Sequence, residues 1–129
     1  MILNISNITG EPLQGQIVSQ IKTQILNGLL SAGYCLPSLR ALSREQRVSY
    51  ITVQKAYETL ENEGLIISQP GRGYFVKDIN KSERMKIAKK RLFDDLVSLV
   101  NSGIKEGLKD VDIIDVFNNL TGKIDKIIK

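Results

Sequence analysis

Leu13, Ile17, Ile21 and Ile25 recur every four residues, a spacing that stacks their side chains on one helical face and predicts a helix from about Pro12 to Asn27. Pro12 near its start and Gly28 just past its end are the punctuation such a helix needs. Ser38 then caps a short second helix whose Leu39 and Leu42 face inward, with Pro37 fixing where the chain turns in. From a second cap at Ser49, Val53, Ala56, Tyr57 and Leu60 follow at the spacing of a third amphipathic helix. Beyond Gly64, Leu65-Ile66-Ile67 and Tyr74-Phe75-Val76 read as two strands around Gln69-Pro70-Gly71-Arg72-Gly73. The polar run KDINKS reads as a linker, which bounds a first domain at residues 1–77, a linker at 78–82 and a helical region at 83–129.

In that last region Met85, Ala88, Leu92, Leu96, Leu99 and Gly103 alternate by three and four, predicting a helix from about Ser82 to Gly107. A second helical segment from Asp110 or Asp112 carries Ile113, Phe117, Leu120, Ile124 and Ile127 or Ile128 on one side, weakened at Thr121-Gly122. The fold class expected is therefore mainly α with one small β-hairpin: a winged helix-turn-helix followed by a two-helix appendage.

A winged helix-turn-helix points to double-stranded DNA. With Val53, Ala56, Tyr57 and Leu60 buried, the other face of the third helix keeps Tyr50, Thr52, Gln54 and Lys55 near its N-terminus, a mixture suited to base edges and phosphates. Glu58, Glu61 and Glu63 crowd its second half, where DNA would repel them, so the N-terminal half is the reading end. Gly71 and Gly73 let the hairpin backbone approach a phosphate or minor groove, and Arg72 puts a charge at its tip. Tyr57 is assigned to the core.

The order of these residues resembles the GntR family of bacterial transcription regulators. The likeness rests on Leu36-Pro37-Ser38 with Arg40 and Leu42, Val48-Ser49 with Thr52-Val53 and Ala56-Tyr57, Leu60 with Glu63-Gly64-Leu65, and Gly71-Arg72-Gly73 with Phe75-Val76. Upstream it extends through Pro12-Leu13, Gln16-Ile17 and Ile25-Leu26-Asn27-Gly28, so that it spans roughly the first three-fifths of the chain. It implies DNA contacts from Arg40, from Ser49, Tyr50, Thr52 and Gln54, and from Gly71 and Arg72; together with the residue reading, Ser38, Lys55 and Gly73 complete the expected interface. Tyr50 stands where many members have arginine, and Gln46-Arg47 where Leu-Gly is usual. The short tail resembles the YtrA-like branch, which implies a small region that dimerises.

The net charge of +4 is only mildly basic, and it is evenly spread: residues 1–77 carry seven Lys or Arg against five Glu, and residues 78–129 eleven against nine. No basic tail dominates, which disfavours a nonspecific nucleic-acid coat against a shaped reader with a local patch of Arg40, Arg44, Arg47, Lys55 and Arg72. The chain has no histidine and one cysteine, Cys35, expected as a small structural residue in a loop. That inventory leaves no Ser-His or Cys-His pair and no soft-metal site, so neither an enzyme nor a cofactor is expected. Without a signal peptide or a membrane-length apolar run, the expected location is the cytoplasm.

About fifty residues cannot easily bury the two apolar stripes of the tail. The expected covering is a second copy, with Leu92, Leu96, Leu99, Ile113, Phe117 and Leu120 at a symmetric interface, which implies a homodimer, a palindromic operator and more readily a repressor. No residue pattern assigns a small-molecule effector. A winged-helix adaptor that binds protein instead of DNA is the competing reading.

Overall fold

A computed structural model of the chain describes residues 1–128; Lys129, the last residue of the expected helical region, lies outside them. The elements run α1 (Leu13–Leu26), α2 (Leu39–Gln46), α3 (Tyr50–Asn62), β1 (Ile66–Gln69), β2 (Gly73–Val76), α4 (Lys81–Lys105), α5 (Asp110–Thr121) and α6 (Ile124–Ile128). They form two compact units, Met1–Lys86 and Ile87–Lys129.

In the first unit the isoleucine ladder of α1 does what its spacing predicts: Ile17, Ile21 and Ile25 are buried, against Val53, Ala56, Tyr57 and Leu60 on α3, with Leu42 of α2 closing the core. Each such side chain contributes about 1.5–3 kcal/mol by leaving water. The helix ends as expected, with Gly28 in the left-handed region at φ 84° and the Leu30 amide donating to the Gln24 carbonyl at 2.9 Å.

The polar side of α1 holds a feature that periodicity does not show. Gln16, Gln20 and Gln24, one turn apart, lash the N-terminal segment along the helix. Gln20 exchanges two bonds with the Asn4 backbone, at 2.7 and 2.8 Å, and Gln24 donates to the Ile2 carbonyl at 2.7 Å. Gln16 is itself buried; its oxygen accepts from the Ser6 amide at 2.9 Å, and its nitrogen donates to the carbonyls of Ser6 and Glu11 at 2.7 and 2.9 Å. The side-chain amides thus supply the partners that a neighbouring strand would otherwise give the extended backbone.

The hairpin pairs Ile66 with Val76 and Gln69 with Gly73 in antiparallel register. Cys35, expected in a loop, is instead in an extended segment that bridges Phe75, with the Leu36 amide donating to the Tyr74 carbonyl and the Val76 amide to the Tyr34 carbonyl, both at 2.9 Å. Unpaired strand edges are costly, and this segment covers one edge of β2. The linker expected over 78–82 is shorter than its polarity suggests: Ile79 is buried and α4 already begins at Lys81, its first turn capped where the Asn80 Oδ1 accepts from the Glu83 amide at 2.9 Å.

In the second unit the loop between α4 and α5 folds back onto α4 at Gly103, where a Cβ would lie 3.2 Å from Leu108. A groove of about 210 Å³ is lined by Leu96, Gly103, Ile113, Phe117 and Leu120 among others. The expected pair of helices is extended by a third, since Gly122 closes α5 and α6 follows as a separate short turn. No residue of α4, α5 or α6 described here is buried. Neither helix presents a narrow stripe: Phe93, Val97 and Ile104 widen the apolar face of α4 beyond Leu92, Leu96 and Leu99.

Gln16→Ala is expected to cost about 2 kcal/mol in urea unfolding, because it removes a buried side chain that makes three part-buried bonds to the Ser6 and Glu11 backbone, whereas Gln24→Ala, with one exposed bond, costs under about 1 kcal/mol. Amide hydrogen exchange at Ser6 should accelerate in the first variant; equal losses in both would contradict the ladder.

Candidate nucleic-acid interface

Two serines decide where the helices of the reading unit begin. The Ser38 hydroxyl accepts from the Ala41 amide at 3.0 Å and the Ser49 hydroxyl from the Thr52 amide at 3.1 Å, each satisfying a donor that the helix start leaves open. Their first duty is therefore capping. Ser49 and Thr52 also share a hydroxyl–hydroxyl bond of 2.7 Å, which consumes one of their two hydroxyl hydrogens and leaves the other for an outside acceptor.

The turn between α2 and α3 is tightened by the Ser43 hydroxyl, which donates to the Val48 carbonyl at 2.6 Å while Val48 itself is buried. Arg47 closes α2 at φ 55°, ψ 45°. This left-handed conformation is where glycine rests freely, and an arginine there costs about 1 kcal/mol. The departure noted in the sequence is thus accommodated: the backbone keeps the glycine geometry and the bulky side chain points away, exposed.

α3 presents its first turn outward. Tyr50 is 47% exposed and Ile51 59% exposed, and Lys55 is exposed one turn on. Thr52 and Gln54 are half-buried. At 100° per residue, the positions directly opposite Val53, Ala56, Tyr57 and Leu60 are Ile51, Lys55 and Glu58, with Tyr50, Thr52 and Gln54 on the flanks. The sequence reading therefore misplaced part of this face and missed Ile51, although the same wheel that buried Val53 would have placed Ile51 outside.

Arg40 and Arg44 on α2, Arg47 in the turn and Lys55 on α3 are all exposed, and among the described residues none of them forms an ion pair. The carboxylates at the far end are engaged differently. Glu63 meets Lys22 of α1 at 2.7 Å, and Glu61 accepts from the Ser68 amide of β1 at 3.0 Å. α3 thus carries Lys55 without an ion pair in its first half, while Glu61 and Glu63 are engaged internally at its end and Glu58 stays exposed on the outer face.

The hairpin tip turns through Gln69–Arg72, closed by the Arg72 amide donating to the Gln69 carbonyl at 2.9 Å. Pro70 at the second position and Gly71 at φ 75° in the third are the arrangement of a type II turn, which demands glycine there. The Arg72 guanidinium lies over the Phe75 ring at 5.7 Å from its centroid, so its stem is steadied while its donors stay in solvent. Ser38 and Arg40 sit at the start of α2, tied to α3 through Tyr57; Arg72, Gly71 and Gly73 form a separate group at the hairpin tip.

Tyr57 links these parts. Fully buried, it donates its hydroxyl to the Pro37 carbonyl at 2.8 Å, directly before the cap of α2, and its ring meets Tyr74 of β2 edge-on at 5.0 Å. Burial first, then the neighbouring Tyr34 and Glu45, push its ionisation well above the ordinary tyrosine range.

With this geometry in place, comparison with known proteins decides the family. The description "Bacterial regulatory proteins, gntR family" matches residues 13–76, α1 through β2. The chain is 30% identical over 108 residues to the HTH-type transcriptional repressor YtrA of Bacillus subtilis, covering 81% of this chain and 83% of that protein. The chain belongs to the GntR family.

Another GntR-type relative, the repressor NagR of Bacillus subtilis, is 42% identical over 74 residues, which is 57% of this chain but 30% of NagR. The chain thus spans under a third of NagR. The solved structure of YtrA from Sulfolobus acidocaldarius, described as a GntR-family transcription factor, superposes with a TM-score of 0.60 at 27% identity, covering 95% of this chain and 99% of that one. The GntR winged-helix fold with C-terminal helices is therefore that of this protein. Among the described residues no helix is long and apolar enough to cross a membrane.

Tyr57→Phe is expected to lose about 1 kcal/mol near neutral pH, the value of the bond to Pro37. Because the folded state holds the phenol protonated, its stabilisation is complete below the unfolded pKa near 10 and falls as pH rises from there toward the raised folded value. The wild type should therefore lose stability more steeply than Tyr57→Phe in urea unfolding above about pH 10, with Tyr74, raised in the same direction by burial, adding a smaller slope to both.

Proposed function

We propose that the protein is a homodimeric, sequence-specific DNA-binding transcriptional repressor that acts in the cytoplasm. One observation carries the reading: the capped first turn of α3 stands clear of the core, exposed at Tyr50 and Ile51, while Arg40, Arg44, Arg47 and Lys55 on α2, the turn after it and α3 are exposed and form no ion pair among the described residues. A cationic, shape-defined helix end beside a rigid hairpin tip matches a major groove and its flanking phosphates. Arg40, Lys55 and the spare hydroxyl hydrogen of the Ser49–Thr52 pair hold phosphates, and the Ser38 cap orients the amide end of α2 toward them. Gln54, Tyr50 and Ile51 meet base edges, where Ile51 and Tyr50 suit a thymine methyl. Arg72, with Gly71 and Gly73 giving the backbone room, reaches an adjacent groove or phosphate. That NagR and YtrA are both repressors supports the direction of regulation.

A second copy of the chain covers the apolar faces of α4 and α5. Leu92, Phe93 and Leu99 are left 60% exposed or more, with Leu96, Ile113, Phe117 and Leu120 lining the groove between the helices. Such a face in water is a partner surface, and a two-fold axis would set two readers on one duplex.

Selection of bound duplexes from a random pool by the purified protein should yield an inverted repeat with half-sites about 34 Å apart, one duplex turn; a pool with no common sequence would defeat the proposal. Against the selected duplex, Lys55→Ala and Arg72→Ala should each lower affinity for every sequence and reduce the slope of log affinity on log salt by about one, whereas Gln54→Ala should change base preference and keep the slope. Leu99→Glu should shift the chain from dimer to monomer in sedimentation velocity with the first unit still folded.

A further inference from the structure

We propose that the junction between β2 and α4 holds a pocket for a small organic anion, a carboxylate or phosphate monoester on a short apolar body. A cavity of about 290 Å³ opens there, within the first unit, between the end of α1, the exit of β2 and the first turn of α4. Its apolar lining comes from Ile25, Leu30, Val76 and Ile79, and its charged lining from Lys77 and Arg84, with no acidic side chain.

Arg84 gives the site its chemistry. Its Nε is buried without a hydrogen-bond partner, a costly state for a charged donor. Its backbone is anchored, since the Arg84 amide donates to the Asn80 carbonyl at 3.0 Å in the capped first turn of α4. Gly28 keeps the space open: a Cβ there would lie 3.1 Å from Arg84 Nη1, and its φ of 84° already favours glycine. An oxyanion seated between Arg84 and Lys77 would satisfy the fork of guanidinium donors, and the apolar lining would accept a few carbons. The volume, at the lower end for ligand sites, limits the guest to a small molecule. Occupancy would tie the exit of β2 to the start of α4, the segment through which the reading unit continues into the rest of the chain.

The site is tested without DNA, so its failure and that of the repressor reading are separate events. The full chain, isotopically labelled, is titrated at constant ionic strength with sodium butyrate, butyl phosphate and inorganic phosphate while amide resonances are followed. Saturable shifts centred on Gly28, Lys77, Ile79 and Arg84 are expected with at least one of the butyl probes, and weaker ones with inorganic phosphate, which lacks the apolar body. Response to butyrate alone makes the site a carboxylate pocket, and response to butyl phosphate alone a phosphate-ester pocket. Arg84→Gln should weaken binding about tenfold or more with an unchanged thermal midpoint; should it unfold, Lys77→Gln, at an exposed position, provides the same comparison. No saturable shift with any probe, or undiminished binding in the folded variant, overturns the proposal.

Discussion

The hydroxyl of Tyr57 is bonded to the backbone of one element while its ring leans on another, and the geometry of the whole reading unit follows from that double attachment. The bond to Pro37 fixes where the chain enters α2; the edge contact with Tyr74 fixes the root of the hairpin against α3. Glu61 repeats the second link by taking the Ser68 amide. Helix end and hairpin tip, separated along the chain, are thereby held in one frame, which a surface that must meet a rigid duplex requires. An aromatic alcohol suits this task because its ring supplies apolar area while its polar end needs one partner, here the Pro37 carbonyl.

Much of this was legible in the residues. The isoleucine spacing of α1 and the caps at Ser38 and Ser49 are local signals, and local physics realises them nearly to the residue. Gly71 was legible as a glycine of the hairpin tip, and the type II turn found there, with its φ of 75°, gives the backbone reason for it. What escaped was non-local or many-sided. The glutamines at 16, 20 and 24 look like an ordinary wet face until an extended segment lies beside them. Tyr34–Leu36 carries no alternating signature of its own and becomes strand-like only because β2 offers an edge. Ile51 was missed through a chemical prejudice, since an apolar residue at an exposed position was not sought on a face expected to be polar. In the tail, the apolar stripe was read too narrow: Phe93, Val97 and Ile104 belong to the same surface as Leu92 and Leu99.

The two units spend their surfaces in different currencies. The first buries a compact core and leaves cations exposed on α2, the turn and α3 without ion pairs among the described residues, so the ionic part of its external interactions weakens as counterions compete. The second buries none of its described helical residues and exposes broad apolar faces; a contact made through such faces would be driven by release of water and strengthened by strongly hydrated salts such as sulfate. One chain thus exposes two kinds of surface whose contacts would respond oppositely to such salts.

The glutamine lashing of the N-terminal segment lies outside that opposition. Its bonds join uncharged amides to backbone, so neither added electrolyte nor a shift in acidity within the ordinary range loosens them. The anchoring of the N-terminal segment on α1 is consequently a fixed background: when ionic strength is varied, the charges that respond are the outward cations and the Lys22–Glu63 pair between α1 and α3, and not this lashing.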